Sequence, residues 1–426
     1  MRFGRLADWL AWQETLHPRT IDLGLDRVES VHRRLAAPFP GPPPVTITVA
    51  GTNGKGSSVA YLSAILRAQG YRVGSYTSPH LLRYNERISI DGEPVGDAAI
   101  CRAFADIDDA RGETTLSFFE FGTLAALDIF GRERVDVQVL EVGLGGRLDA
   151  VNIVDADVVL VTSIGIDHEE WLGDSREAIG LEKAGVMRRG RPAVIADPEP
   201  PESMLAHADS LSVDLRVIGR DFDFLESSAG WSWRSRAVRV DDLPLPPLGG
   251  THQLRNAAGA LQAIDLIAGV LPVSESAIRA GLSGARLSGR FQVIPGDRPV
   301  VMDVAHNVQA VGVLATQLRE RFPEKRLHAV FALMRDKDQI GVVTQMKDLV
   351  AAWYLPRLQV PRAATPEQLR DVLRSSGVER VECGFSRVSD AVAAARAGAV
   401  AGDPIVVFGS FFLIAEYLAQ DGRSIG

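Results

Sequence analysis

The sequence predicts an α/β fold of parallel sheets arranged in two domains, and two observations predict it. Apolar, β-branched runs of strand length alternate with helix-length stretches through most of the 426 residues. That is the rhythm of βα units, which bury a parallel sheet between helices. The first of these runs, VTITVA at 45–50, empties into the glycine-rich turn GTNGKGS, and a helical stretch, SSVAYLSAILRAQG, follows at once.

Further along, VDVQVLEVGL, ADVVLVTSIGI and RPAVIAD each read as buried strands with helical segments between several of them. The region from about 210 to 248 differs. RVIGRDFDFLE, WSWRS and AVRVDDL look like short antiparallel strands closed by PLPPLGG, and HQLRNAAGALQAIDLIAG then reads as a helix. Between 283 and 298 the text turns rich in Gly, Ser and Arg, and a fresh strand starts at PVVMDVAHN, so the boundary falls there. We therefore expect an N-terminal domain over 1–288, a linker over 289–297 and a smaller Rossmann-like α/β domain over 298–426, with a cleft between the domains. In the latter, HAVFALM, VAAWYLPRL and DPIVVFGSF are the strands, set between helices such as VQAVGVLATQLRERF and DAVAAARAGA.

Composition narrows the function classes. A net charge of −8 argues against a sequence-independent nucleic-acid binder. The N-terminal stretch carries Asp8 and Glu14 and has no long apolar core, so it does not read as a signal peptide. No apolar run reaches membrane-spanning length. Cys101 and Cys383 lie far apart without metal-ligand spacing, as expected of reduced thiols in a cytoplasmic protein.

The chemistry-bearing turn is Thr52, Asn53, Gly54, Lys55, Gly56 and Ser57. Backbone N–H groups in such a turn face phosphate oxygens, and the helix beginning near Ser57 adds its positive end. Lys55 supplies a point charge for the β/γ-phosphates, and a hydroxyl at Ser57 or Ser58 reaches a magnesium ion. This reads as a P-loop ATPase domain, although Gly56 interrupts the strict Walker spacing; the plainer alternative is an ordinary strand-to-helix connection. Functional groups in open α/β sheets gather at the carboxyl ends of strands. Glu141 and the pair Asp167 and His168 occupy such ends. For Glu141 the alternative is a salt-bridged loop carboxylate, and for His168 a structural histidine.

GTNGKGS resembles the Mur ligase superfamily of ATP-dependent amide-bond ligases. TSPHLLRYNERI, SFFEFGTLAAL, EVGLGGRLDAVN, TSIGIDHEEWLG and LEKAGV, then SGRFQ, DVAHN, DKD and VFGSF, narrow the resemblance to its folate branch, folylpolyglutamate synthase and the bifunctional dihydrofolate synthase. Departures are small: DAVN stands in place of DATN, and RDKD in place of a glycine-containing variant.

The resemblance implies the following roles. Ser57, Ser78, Glu141 and His168 hold magnesium, and Lys183 is N-carboxylated and helps hold a second ion. Asn256, Arg290 and Asp303 contact ATP. His306 orients phosphate or the incoming glutamate, the plainer alternative being a helix cap. Lys337 in DKD is a weaker candidate, since paired loop charges are usually solvated. Thr20, Ile21 and Asp22 contact the pterin, with a helix cap as the alternative; Ser117 and Leu148, Asp149 and Ala150 fall at its other contact positions. Phe118, Phe119 and Phe121 read as core rather than as a stacking platform.

The activity implied is glutamate ligation to dihydropteroate and to reduced folates through an acyl phosphate, by a monomer using ATP and two Mg2+ ions. Lys55, Lys183 and His306 would be the catalytic residues. A monofunctional folylpolyglutamate synthase, a Mur-type ligase of cell-wall precursors and a nucleotide-binding module without turnover are the alternatives.

Overall fold

The computed structural model describes residues 2–19, 21–35, 42–227, 230–247 and 249–420. The chain divides into two compact bodies. The first takes in most of the chain up to Arg286; the second begins at Leu287 and also includes Ile166–His168.

The main sheet of the first body holds β1 (Val45–Ala50), β2 (Val73–Tyr76), β3 (Ile88–Ile90), β4 (Glu93–Pro94), β5 (Val137–Glu141), β6 (Val158–Val161), β7 (Pro192–Ile195) and β8 (Asp214–Val217). Their order is β4-β3-β2-β5-β1-β6-β7-β8. All neighbours from β2 to β8 run parallel, and β3 and β4 add an antiparallel edge. β1 takes a central place because its β-branched residues can be buried on both faces, as Ile47 and Val49 are. Of its two buried threonines, Thr46 accepts a hydrogen bond from Gln138 Nε2 at 2.8 Å. Register sets Val49 opposite Glu141 on one side and Leu160 on the other. The glycine turn thus leaves the sheet beside the carboxyl ends of β5 and β6.

The turn feeds the helix Lys55–Gln69, which starts two residues before the expected position and stops at Gly70. There a φ of 101° lets the backbone N–H reach Arg67 O and Leu66 O. The helices Thr251–Leu266 and Glu275–Gly284 pack on it. The second approaches so closely that a Cβ on Gly281 would stand 2.4 Å from Ile65 Cα.

A separate antiparallel sheet holds β9 (Asp223–Ser227), β10 (Gly230–Arg234) and β11 (Arg239–Leu243), as expected. RVIGRDFDFLE, however, is two strands. Its opening residues end β8, parallel to β7, and only its last part is β9. Asp221 enforces the break by accepting Val217 N–H at 2.8 Å across a turn in which Gly219 has a φ of 78°.

The second body carries β12 (Gln292–Ile294), β13 (Val300–Asp303), β14 (Leu327–Phe331), β15 (Val350–Pro356), β16 (Val381–Phe385) and β17 (Ile405–Phe408) in the order β12-β13-β17-β14-β15-β16. Only β12 runs antiparallel. Residues 289–297, read from the sequence as linker, include this strand. Its core centres on Phe331, whose ring lies 5.3 Å from Trp353 and 4.9 Å from Phe408. Among the described residues no helix is long and apolar enough to cross a membrane.

Gly281→Ala should lower the unfolding free energy by about 1–3 kcal/mol through overpacking, a shift readable in the urea midpoint. Alanine's better helix propensity, roughly 1 kcal/mol, offsets only part of this.

Candidate active site

The glycine turn is held open from all sides. Thr52 N–H donates to Ser163 O at 2.7 Å, and Thr52 Oγ1 to Gly165 O at 3.0 Å. Ser163 Oγ donates to Asn53 O at 3.1 Å. Gly54 has a φ of 94°, and a Cβ there would lie 2.5 Å from Asn256 Oδ1, so the turn demands glycine at this point. Asn256 Nδ2 donates to Gln253 Oε1, and Gln253 Nε2 donates to Ser57 Oγ, each at 3.2 Å. One polar face of the Thr251–Leu266 helix therefore locks the start of the Lys55–Gln69 helix. Among the P-loop residues, Gln253 is the partner that sequence reading missed.

Two lysines converge on one carbonyl. Gly51 O accepts Lys55 Nζ and Lys183 Nζ, each at 3.0 Å. Lys183 is 5% exposed. Its neighbour Glu182, the partner a plain ion-pair reading would give it, pairs with Arg147 Nη2 at 2.8 Å. The two glycine-bearing motifs that carry these residues are interlocked. A Cβ on Gly146 would stand 2.8 Å from Glu182 O, one on Gly185 would stand 2.4 Å from Arg147 Cβ, and Asn152 Nδ2 donates to both Arg147 O and Gly185 O.

Glu141 is buried, and its Oε2 accepts Ser78 N–H at 3.3 Å. Glu86 fixes the loop that presents Ser78 by accepting the N–H groups of Leu81, Leu82 and Arg83. Ser57, Ser78 and Glu141 are hard oxygen donors, the kind that magnesium takes. Among the described residues no group of three or more His, Cys, Asp or Glu side chains could hold a metal by itself. Any metal bound here thus relies on serine hydroxyls, phosphate or a modified lysine as well.

The residues implied for the pterin come together from three distant parts of the sequence. Asp22 accepts from His17 Nε2 at 3.0 Å and Arg19 Nη1 at 3.3 Å, and pairs with Arg27 Nη1 at 2.7 Å. Arg27 Nη2 reaches Glu120 Oε1 at 3.1 Å, and Glu120 closes a capping box with Ser117 at the start of the Phe118–Glu133 helix. Gly24 N–H donates to Leu148 O at 3.3 Å. Asp22 is thus an ion-paired anchor and caps no helix, whereas the helix cap is Ser117. Ile21 is half-buried beside Asp22, and Thr20 lies outside the described residues. Phe121 is fully buried, as expected of core; Phe118 and Phe119 are only partly so. Asp149 accepts the N–H groups of Gly143, Leu144 and Val151, beside the buried Ala150. Burial nonetheless outweighs these bonds and pushes its carboxyl up to about 6.

In the second body, Asp303 accepts Phe291 N–H at 2.8 Å and Ala305 N–H at 2.7 Å. Burial raises its proton affinity, while the neighbouring Arg290 acts in the opposite sense. The Arg290 guanidinium lies 5.3 Å from the centre of the Phe411 ring. Asn307, not His306, caps the Val308–Arg321 helix. His306 Nδ1 instead bonds Val304 O at 2.9 Å, leaving Nε2 3.7 Å from Asp167 Oδ2. Asp167 is the hub. Lys337 Nζ lies 2.5 Å from its Oδ1, and Asn307 Nδ2 donates to its Oδ2 at 3.2 Å. Burial opposes its ionisation, but the neighbouring His306 and the charge of Lys337 prevail and hold the carboxyl far below the usual range. Lys337, discounted in the sequence as a solvated loop charge, is buried. Asp167 also accepts the N–H of His168, which has a φ of 56°.

A family model for the Mur ligase glutamate ligase domain matches residues 289–411. The dihydrofolate synthase/folylpolyglutamate synthase of Escherichia coli K12 is 43% identical over 422 residues, covering 99% of this chain and 97% of that one. A solved structure of E. coli FolC in complex with DHPP and ADP superposes with a TM-score of 0.92 at 42% identity, with 98% of each chain covered. A bifunctional folylpolyglutamate synthase/dihydrofolate synthase with Mn, AMPPNP and L-glutamate bound gives 0.89 at 42% identity, covering 99% of this chain and 98% of that one.

The raised pKa of Asp149 has a measurable consequence. Its folded-state proton affinity exceeds that of the unfolded chain, near 3.9. Its contribution to stability is therefore greatest below about pH 4 and is lost as pH rises to about 6, by on the order of 3 kcal/mol. Asp149→Asn should flatten the stability profile in that window, measured by urea unfolding at stepped pH.

Proposed function

The chain belongs to the dihydrofolate synthase/folylpolyglutamate synthase family, and from that premise we propose that it is an ATP-dependent ligase adding L-glutamate to dihydropteroate, to give dihydrofolate, and to reduced folates, to give polyglutamates. The observation that carries this reading is the convergence of Lys55 and Lys183 on Gly51 O, at the end of a strand whose neighbour finishes in the buried Glu141. Cationic groups for phosphate and an oxygen ligand for a divalent ion are thus brought to the same end of the sheet. The protein works as a cytoplasmic monomer.

A free carboxylate is a poor electrophile because its oxygen leaves badly. An oxygen of the acceptor carboxylate attacks the γ-phosphorus of ATP, ADP departs, and an acyl phosphate forms. The α-amine of glutamate attacks the acyl carbon and gives up a proton, and phosphate leaves as the amide forms. Catalysis is chiefly positioning and charge neutralisation. The N–H groups of Thr52–Ser57 cradle the phosphates, Lys55 and Arg290 neutralise the transferring phosphoryl group, and Asn256 and Asp303 position the nucleotide. Magnesium, when bound, spreads the phosphate charge. Ser57, Ser78, Glu141 and His168 would hold it, and an N-carboxylated Lys183 would help hold a second ion. That modification suits a buried amine, which burial favours in the neutral, CO2-reactive form. His306 orients glutamate or the acyl phosphate, and Asp167 with Lys337 holds the turn that carries it. Asp22, Leu148–Ala150 and Ser117 frame the pterin.

Phosphate release that requires both glutamate and dihydropteroate tests the assignment; release independent of either would overturn it. Lys55→Ala and Glu141→Ala should each lower kcat by about a hundred-fold or more, since a single group stabilising transferred charge is worth roughly 2.7–4 kcal/mol. Their melting temperatures should stay near wild type. Lys183→Ala should be nearly inactive and partly restored by small carboxylates; full activity in bicarbonate-depleted enzyme with an unmodified Lys183 would remove the carbamate.

A further inference from the structure

Gln253 lies in the first turn of the helix Thr251–Leu266 and is 3% exposed. Both polar atoms of its carboxamide are engaged. Nε2 donates to Ser57 Oγ at 3.2 Å, while Oε1 accepts from Asn256 Nδ2 at 3.2 Å and from the Tyr61 hydroxyl at 3.4 Å. Ser57 and Tyr61 stand four residues apart on one face of the Lys55–Gln69 helix, so a single amide meets both.

Tyr61 sets the direction of that amide. Its side chain is fully buried, and burial pushes the phenol well above its ordinary pKa, so the oxygen keeps its proton and donates it. The carbonyl end of Gln253 therefore faces Tyr61 and Asn256, and the N–H end is left for Ser57. What this bond does follows from the hydroxyl's inventory of one proton and two lone pairs. The N–H of Gln253 takes one lone pair and holds the side chain in place; the other lone pair stays available to a cation, and the proton to an acceptor such as phosphate. Left alone, a serine in a helix can turn its hydroxyl back onto a backbone carbonyl, in competition with any ligand. The adjacent Ser58, the other hydroxyl that the sequence offers, has no such support, because its Oγ is sealed in the core without a partner.

We propose that Gln253 is a positioning residue for the metal-nucleotide complex, holding the Ser57 hydroxyl in the orientation that presents a free lone pair to a divalent ion. The proposal rests on the reading of Ser57 as a metal ligand in an ATP-dependent ligase. Gln253→Met keeps the length of the side chain and removes both polar atoms. With Mn2+ as the probe, the affinity of the ion for the ADP-loaded variant, measured by calorimetry, should fall about ten-fold or more, as when other residues that orient a metal ligand are removed. ADP binding in EDTA should stay within about two-fold of wild type, since the backbone N–H groups of the turn remain to hold phosphate. Ser57→Ala should also lose Mn2+ affinity, and Ser57→Ala combined with Gln253→Met should lose no more than Ser57→Ala alone, because one residue acts through the other. Equal losses with and without metal would mean that Gln253 merely holds the turn, additive losses in the pair that it acts elsewhere, and an unchanged Mn2+ affinity that Ser57 orients itself; each overturns the proposal. If Gln253→Met does not fold, Tyr61→Phe, which removes only the phenol oxygen, carries the same measurement, with a loss of about three-fold expected and no loss overturning it. Wild-type protein that binds ADP without taking up Mn2+ would sink the metal-dependent reading itself, whereas wild-type uptake with an indifferent Gln253→Met sinks only this residue's role.

Discussion

The shared acceptor at Gly51 is the constraint around which the nucleotide end of the first body is organised. Two ammonium groups each 3.0 Å from one carbonyl oxygen lie close together. At about 6 Å, their greatest separation, they repel by on the order of 3 kcal/mol in a medium of effective dielectric about 20. Phosphate negative charge relieves that repulsion, and so does conversion of one amine into an anion. Lys183 is the better candidate for conversion because it is the more deeply buried. The rest of the local structure keeps the acceptor where both can reach it. A Cβ on Gly51, whose φ is 142°, would overlap Thr162 Oγ1, and the loop motifs around Arg147 and Glu182 pin the helix that carries Lys183.

Much of the fold was legible because buried parallel strands leave an unambiguous trace: β1, β5, β6, β7, β13, β14, β15 and β17 are all short β-branched or apolar runs. The edges were not. β3, β4 and β12 have only two or three residues, too few for any periodicity to register, and β16 alternates partly exposed residues at the rim of its sheet. The merging of β8 with β9 has a different cause. Hydropathy reports burial but not the strand's partner, and the break is made by one aspartate accepting one backbone N–H.

The site divides along the same line. Lys55, Glu141 and Lys183 were readable because each belongs to a short motif whose residue types are fixed by the chemistry of phosphate and metal. Interactions that join distant segments left no such trace. The pairing of Lys337 with Asp167 spans 170 residues, and the Arg27 to Glu120 contact spans 93. A charged residue in a loop reads as solvated until the fold supplies its partner.

Backbone strain gives a further argument about where chemistry resides in the second body. Non-glycine residues rarely adopt positive φ, and when they do some specific interaction must hold them there. Asp91, Arg134, Ser212 and Glu324 do so in turns and at helix ends. His168 and Phe291, with φ of 56° and 40°, are different. Each gives its N–H to an aspartate of the second body, His168 to Asp167 and Phe291 to Asp303. Each of those carboxylates also faces a cation, Lys337 and Arg290 respectively. The same arrangement thus occurs twice: an aspartate tethers a strained residue through the backbone and meets a positive charge through its side chain. Such a tether fixes the direction in which the strained residue's neighbours point. For Asp167 the surrounding donors also hold the carboxyl ionised throughout the neutral range. For Asp303, burial raises the proton affinity and Arg290 lowers it, so the guanidinium belongs to the charge environment of its own turn as well as facing any phosphate it meets.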